Sequence, residues 1–202
     1  MFVTAFLFMP HSYLALGDSY TIGEAVSEKG NWPNQLINRL NDLGYQYDLP
    51  HIIAKTGWTT NELLEAIQGV QLQPSYTVVS LQIGVNNQYR GYSIQQYKTE
   101  FTKLLKLATQ LGQQVFVLSI PDYGCTPFGK EKAIQINDEL IVYNEIASSI
   151  CQDNNVSFFD IFHLSKLALQ DQQLTASDGL HPSKEMYTHW VDSFIDRLVA
   201  LL

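Results

Sequence analysis

Tyr13-Leu14-Ala15-Leu16-Gly17-Asp18-Ser19-Tyr20-Thr21 is the stretch on which the reading of the fold turns. An apolar run suited to a buried strand passes into glycine, aspartate and serine, which favour a turn. The strand therefore ends with a serine hydroxyl at its carboxyl end, the end where open α/β sheets bind their ligands. A serine so placed is a nucleophile when a base lies beside it. The sequence offers that base near its other end, in Asp178-Gly179-Leu180-His181-Pro182. Folding must bring the two stretches together.

Outward from the first strand, Ser12 to Leu16, strands and helices alternate. The spacing predicts a helix from Asn31 to Gly44, capped by Asn31, with Leu36, Ile37, Leu40 and Leu43 on its inner face. A second strand is expected over Leu49 to Ala54 and a helix over Thr60 to Gly69. Tyr76 to Ile83 reads as the central strand, and Ser93 to Leu111 as a helix with Tyr97, Phe101, Leu104, Leu105 and Ala108 inward. A fourth strand, Val115 to Ile120, leads through a Pro- and Gly-rich loop to a helix from Glu131 to Gln152. A fifth strand, Val156 to Phe159, precedes a last helix from Ser183. No repeat or linker interrupts the pattern, so residues 1–202 read as a single domain. The fold class expected is α/β: a three-layer α/β/α sandwich around a five-stranded, mainly parallel sheet in the flavodoxin-like order 2-1-3-4-5.

Composition narrows the function. With 202 residues and 46% hydrophobic content the chain can bury one substantial core. A net charge of −8, without a cluster of Lys and Arg, argues against a nucleic-acid partner. No apolar run reaches the ~18 residues of a membrane span, so stable membrane insertion is not expected. Two cysteines, Cys125 and Cys151, read as buried thiols, with a disulfide left open; no Cys or His stands at metal-ligand spacing, and no metal or cofactor is called for. The apolar start, Met1 to Met9, lacks the basic region and cleavage site of a secretory signal. That favours a cytoplasmic address, with export open if the start is truncated. Oligomeric state is not encoded legibly.

The rim formed by the strand ends carries the chemistry. Serine needs a neutral imidazole to take its proton, and the imidazole needs a partner on its other nitrogen. Asp178 and His181, three residues apart, can be presented by one tight turn; Pro182 restricts His181 and lets a helix begin directly afterwards. Ester cleavage also needs donors for the oxyanion, each worth ~3 kcal/mol in favourable cases. The backbone N–H of Ser19, the backbone of Gly57 and the carboxamide of Asn86 are the natural set.

At these residues the chain resembles the SGNH hydrolases, also called the GDSL-like lipase/acylhydrolase family. Four blocks carry the resemblance, in order and over nearly the whole length. They are Gly17-Asp18-Ser19, Gly57 in Lys55-Thr56-Gly57-Trp58-Thr59, Asn86 in Gly84-Val85-Asn86-Asn87, and Asp178-Gly179-Leu180-His181-Pro182. The resemblance implies a flavodoxin-like fold and an acyl-enzyme on Ser19. It also implies a triad completed by Asp178 and His181, and an oxyanion hole that includes Gly57 and Asn86. The expected activity is hydrolysis of a small-molecule carboxylic ester, whether lipid, short-chain acyl or acetylated sugar. Acyl transfer to an alcohol or sugar, or a binding module without catalysis, stands as the alternative.

Two positions depart from the family pattern. Tyr20 replaces the usual leucine or isoleucine after the serine and is expected to alter the pocket mouth. Asn87 replaces a frequent aspartate and is expected to weaken a supporting hydrogen bond. Trp58, Tyr89, Tyr92 and Tyr123 fall in rim loops and, with Tyr20 and Leu180, are expected around an acyl or sugar pocket, although ordinary loop packing fits them as well. Simpler readings exist: Gly17-Asp18-Ser19 as a plain turn, Asp178 as a helix cap, Asn86 as a loop tie. Asp18 itself reads as structural. Asp160-Ile161-Phe162-His163 repeats the Asp-x-x-His spacing and is the rival base, without the following proline.

Overall fold

The structure is a computed structural model and describes residues 10–202; the apolar start lies outside the described residues. Five strands, β1 (Tyr13–Gly17), β2 (His51–Ala54), β3 (Tyr76–Gln82), β4 (Gly112–Leu118) and β5 (Ser157–Phe159), form one sheet in the order β2-β1-β3-β4-β5. Every neighbouring pair runs parallel, with Leu16 opposite Ile53 on one side and Leu81 on the other. Parallel neighbours need long crossovers, and helices supply them: α2 (Trp32–Asp42), α3 (Thr60–Gln68), α5 (Ile94–Leu111) and α6 (Ala133–Asp153), with α7 (Lys184–Val199) closing the chain.

All residues of β1 are buried, odd and even positions alike, so both faces of the sheet are covered. In one layer α2 packs on α7; in another, α5 packs on α3 and α6. Phe116 of β4 joins the sheet to the first layer, its ring 6.2 Å from Trp32 and 5.7 Å from Phe194. The Trp32 indole N–H donates to Gln82 Oε1 at 3.0 Å, which satisfies a polar pair inside the core.

Boundaries differ from the sequence reading where the apolar run is longer or shorter than the ladder. Leu49 lies outside β2, exposed, and Leu43 lies just past the end of α2 at 59% exposure rather than inward. Gly112 starts β4 three residues before the apolar run, because it pairs with Tyr76. Two short helices escaped prediction, α1 (Ser19–Ile22) and α4 (Val85–Tyr89), each too brief to establish a period. Both cysteines are free, Cys151 buried and Cys125 half-buried, and burial pushes each thiol up to about 12.

Candidate active site

The turn after β1 leaves Ser19 as the first residue of α1. Asp18 caps that helix, its Oδ1 accepting from the Tyr20 N–H at 3.0 Å. Gly17 is required by space: an added Cβ would fall 2.0 Å from Thr21 Oγ1 and 2.6 Å from the Gln82 carbonyl oxygen. The Asp18 carboxyl is 1% exposed and burial raises it to about 7, against the opposing pull of the backbone N–H it accepts from. It fits the structural part expected of it.

The loop before α7 builds the other half. Asp178 Oδ1 accepts from the N–H groups of Leu180 (2.9 Å) and His181 (3.0 Å), while Oδ2 meets His181 Nδ1 at 2.6 Å. Partial burial would raise Asp178, but its hydrogen bonds from the imidazole and the two backbone N–H groups outweigh that and hold it below the usual carboxylate value. An ionised carboxylate only accepts, so Nδ1 carries the proton, and in the neutral imidazole it is Nε2 that keeps a lone pair. The turn is tied down by its neighbours: Ala176 N–H donates to His181 O, Phe128 N–H to Gly179 O, and Ser183 N–H to Leu174 O.

These halves meet in one pocket of about 180 Å³, with Ser19 and His181 both in its wall. The two residues are 4% and 8% exposed. Among the described residues the Ser19 hydroxyl makes no hydrogen bond to the imidazole, a contact that in substrate-free sites is often loose and tightens in the complex. Gly57 and Asn86 line the same pocket. Gly57 has φ +85° in a turn closed by Trp58 N–H to Lys55 O at 3.2 Å, a conformation that favours glycine at that place. No acceptor among the described residues takes the N–H of Gly57 or Ser19, which leaves both free for a ligand. Asn86 sits in α4, and its Nδ2 donates to the Trp58 carbonyl at 3.0 Å. A carboxamide nitrogen has two hydrogens, so one is left over.

Around the pocket, Tyr89, Tyr123 and Leu180 stand where expected, and Thr56, Val85 and Phe128 complete the wall. Phe128 was missed because nothing in its Pro- and Gly-rich loop marks it; its ring lies 6.2 Å from that of Tyr89 and 6.4 Å from that of Tyr123. Trp58 is a correction: its side chain is half-buried against the core and outside the pocket wall, and what it gives the site is its carbonyl. Tyr20 lines the pocket as expected, but its place is corrected: it is buried in the wall rather than at the mouth, its ring edge-on to His181 at 5.7 Å and 6.2 Å from Trp190. Asn87 is a third. Its support is intact, Oδ1 accepting from Thr60 N–H at 3.0 Å and Nδ2 donating to Thr60 Oγ1 at 2.7 Å. The rival pair Asp160 and His163 is solvent-exposed, 3.9 Å apart and away from the pocket. Among the described residues no group of three or more His, Cys, Asp or Glu is placed to hold a metal ion.

Comparison with known proteins agrees with the fold. Residues 15–189 match the GDSL-like Lipase/Acylhydrolase family. An arylesterase of Vibrio mimicus is 25% identical over 186 residues, spanning 90% of this chain and 84% of that protein. Among solved structures, TesA is similar at TM-score 0.74 and 18% identity, covering 95% of this chain and all (100%) of that one. The psychrotrophic esterase EstA from Pseudoalteromonas sp. gives 0.72 and 18%, covering 95% and 98%. The acetylxylan esterase Axe2 from Geobacillus stearothermophilus gives 0.70 and 16%, covering 92% and 93%. The structural likenesses speak to the fold.

Proposed function

The chain belongs to the GDSL-like lipase/acylhydrolase family, and from that premise we propose that it is a serine esterase cleaving small carboxylic esters through Ser19, His181 and Asp178. The observation that carries the reading is convergence. A serine from one end of the chain and an aspartate-held imidazole from the other line a single pocket with two backbone donors that no acceptor among the described residues engages.

The reaction runs in two halves. Ser19 Oγ attacks the acyl carbon while His181 Nε2 takes the hydroxyl proton. The carbonyl oxygen gains the negative charge and is held by the N–H groups of Ser19 and Gly57 and by Asn86 Nδ2. As the carbon–oxygen bond to the alcohol breaks, His181 returns its proton to the departing oxygen, leaving an acyl group on Ser19. Water then repeats the sequence and releases the acid. Asp178 stays ionised and keeps the imidazole in the working tautomer. The pocket is close in size to cavities that accept one aromatic ring, roughly 150 Å³ in an engineered case, and Tyr20, Tyr89, Tyr123 and Phe128 give its wall aromatic surface. A short acyl or aryl group fits it better than a long chain, in keeping with the name of the Vibrio mimicus relative.

The test is a chain-length series of aryl esters on wild type and Ser19→Ala, with fluorophosphonate labelling. Wild type is expected to favour short esters and to be labelled at Ser19, and the variant to lose at least about 10³-fold in kcat. Undiminished turnover by Ser19→Ala overturns the mechanism. A preference for long acyl chains overturns the substrate class alone.

A further inference from the structure

Arg90 and Asn86 are four residues apart, at the end and near the start of α4, and so project from neighbouring positions of one helical face. They donate to two consecutive carbonyls of the same loop. Asn86 Nδ2 reaches Trp58 O at 3.0 Å and Arg90 Nη2 reaches Gly57 O at 2.6 Å. Arg90 Nη1 lies 3.3 Å from Glu62 Oε2, and Glu62 in turn closes the capping box of α3 by accepting from the Thr59 N–H at 2.8 Å. The Gly57 turn is thus gripped from α4 on one side and anchored through Arg90 to the start of α3.

We infer that Arg90 is a positioning residue for the oxyanion hole, fixing the Gly57 peptide from outside so that its N–H faces the acyl oxygen. This rests on the esterase reading above. The physical need is specific. A glycine with φ +85° has alternatives open to it that other residues lack, and a donor aids the transition state only if its direction is set beforehand. The Gly57 carbonyl belongs to the peptide after the glycine and its N–H to the peptide before it, so holding the carbonyl restricts the rotation between the two without occupying the N–H. Because Asn86 holds the next carbonyl, the two donors are fixed relative to each other through one peptide unit. Arg90 is an exposed side chain outside the pocket wall, so its effect on turnover passes through this loop.

The experiment compares wild type, Arg90→Ala and Arg90→Lys with p-nitrophenyl acetate, with phenylboronic acid as a tetrahedral adduct at Ser19, and by thermal unfolding. Arg90→Ala is expected to lose about tenfold in kcat, less than the removal of a whole donor, with KM changed by no more than about twofold. Phenylboronic acid affinity should fall in step with kcat while the midpoint of unfolding stays put. Arg90→Lys should recover part of the loss, since an ammonium still reaches one carbonyl. An unchanged kcat in Arg90→Ala overturns the inference, as does a loss confined to KM or matched by a fall in unfolding temperature. Wild-type turnover that survives Ser19→Ala defeats the esterase reading itself, a result separable from any of these.

Discussion

Asp18 and Asp178 flank the serine and the histidine of the same site, and their surroundings drive them in opposite directions. Burial lifts Asp18 to about 7, whereas hydrogen bonds from His181 and two backbone N–H groups hold Asp178 low. The sign of the pH effect follows. Asp18 is protonated more readily in the folded chain than in the unfolded one, so its contribution is complete below the ordinary carboxylate range near pH 4. It is lost as pH rises toward about 7. Asp178 contributes oppositely, its stabilisation being present above that range and lost as pH falls below it. Asp18→Asn keeps an acceptor for the Tyr20 N–H and removes the titration. Its urea midpoint should decline less than wild type between about pH 4 and 7; parallel curves for the two proteins would show that Asp18 does not titrate there. Residues of this kind could be named from the sequence because few residue types serve as nucleophile, base and orienting partner, and the proposed triad of Ser19, His181 and Asp178 draws on that short menu. Phe128 and Arg90 were not legible, since their parts depend on which neighbours the fold brings to them, and Tyr20 was legible as a pocket residue but not as one buried against His181. Trp58 misled for a related reason, its side chain suggesting a pocket when its carbonyl is what the site uses.

Between elements, one hydroxyl joins α4 to α3 and α5 at once. Thr60 Oγ1 accepts from Asn87 Nδ2 and donates to Glu100 Oε2 of α5, while the Thr60 N–H goes to Asn87 Oδ1. A single hydroxyl proton cannot serve two carboxylates. With Glu100 present, asparagine is therefore the coherent residue at position 87, and the aspartate expected there from the family pattern would leave one carboxylate without its hydrogen bond. Asn87→Asp should lower stability at neutral pH by about 1–3 kcal/mol, the usual penalty for a buried polar group left unsatisfied. Glu100→Gln in that background should recover most of it, because the carboxamide can give its own hydrogens. Denaturant unfolding of the four proteins forms a double-mutant cycle, and additive effects would refute the coupling. The long elements were predictable from their 3.6- and 2-residue periods. The site, however, hangs on α1 and α4, of four and five residues, and helices that short are decided by capping and packing rather than by pattern.

At the scale of the whole molecule, the difficulty is that the working groups come from opposite ends of the chain. β1 delivers Ser19, and the loop before α7 delivers Asp178 and His181, so the layer formed by α2 and α7 has to hold the two ends together. Its centre is aromatic. Phe194 of α7 lies parallel to Phe159 at 5.2 Å and edge-on to Trp32 of α2 at 6.4 Å, and all three rings are fully buried. None of them lines the pocket. Phe194→Ala removes the ring that α2, β4 and β5 share, and should cost about 3–5 kcal/mol, read as a shift in the urea midpoint. Under conditions where that variant is still folded, kcat/KM per folded molecule should stay within about twofold of wild type, because distant sites act nearly independently. A fall in kcat/KM well beyond that in fully folded Phe194→Ala would mean that the core sets the geometry of the site as well as its survival. The expected outcome separates the two. The aromatic layer decides whether the ends of the chain meet, and the turns at Gly17, Gly57 and Asp178 decide how they face each other once they have met.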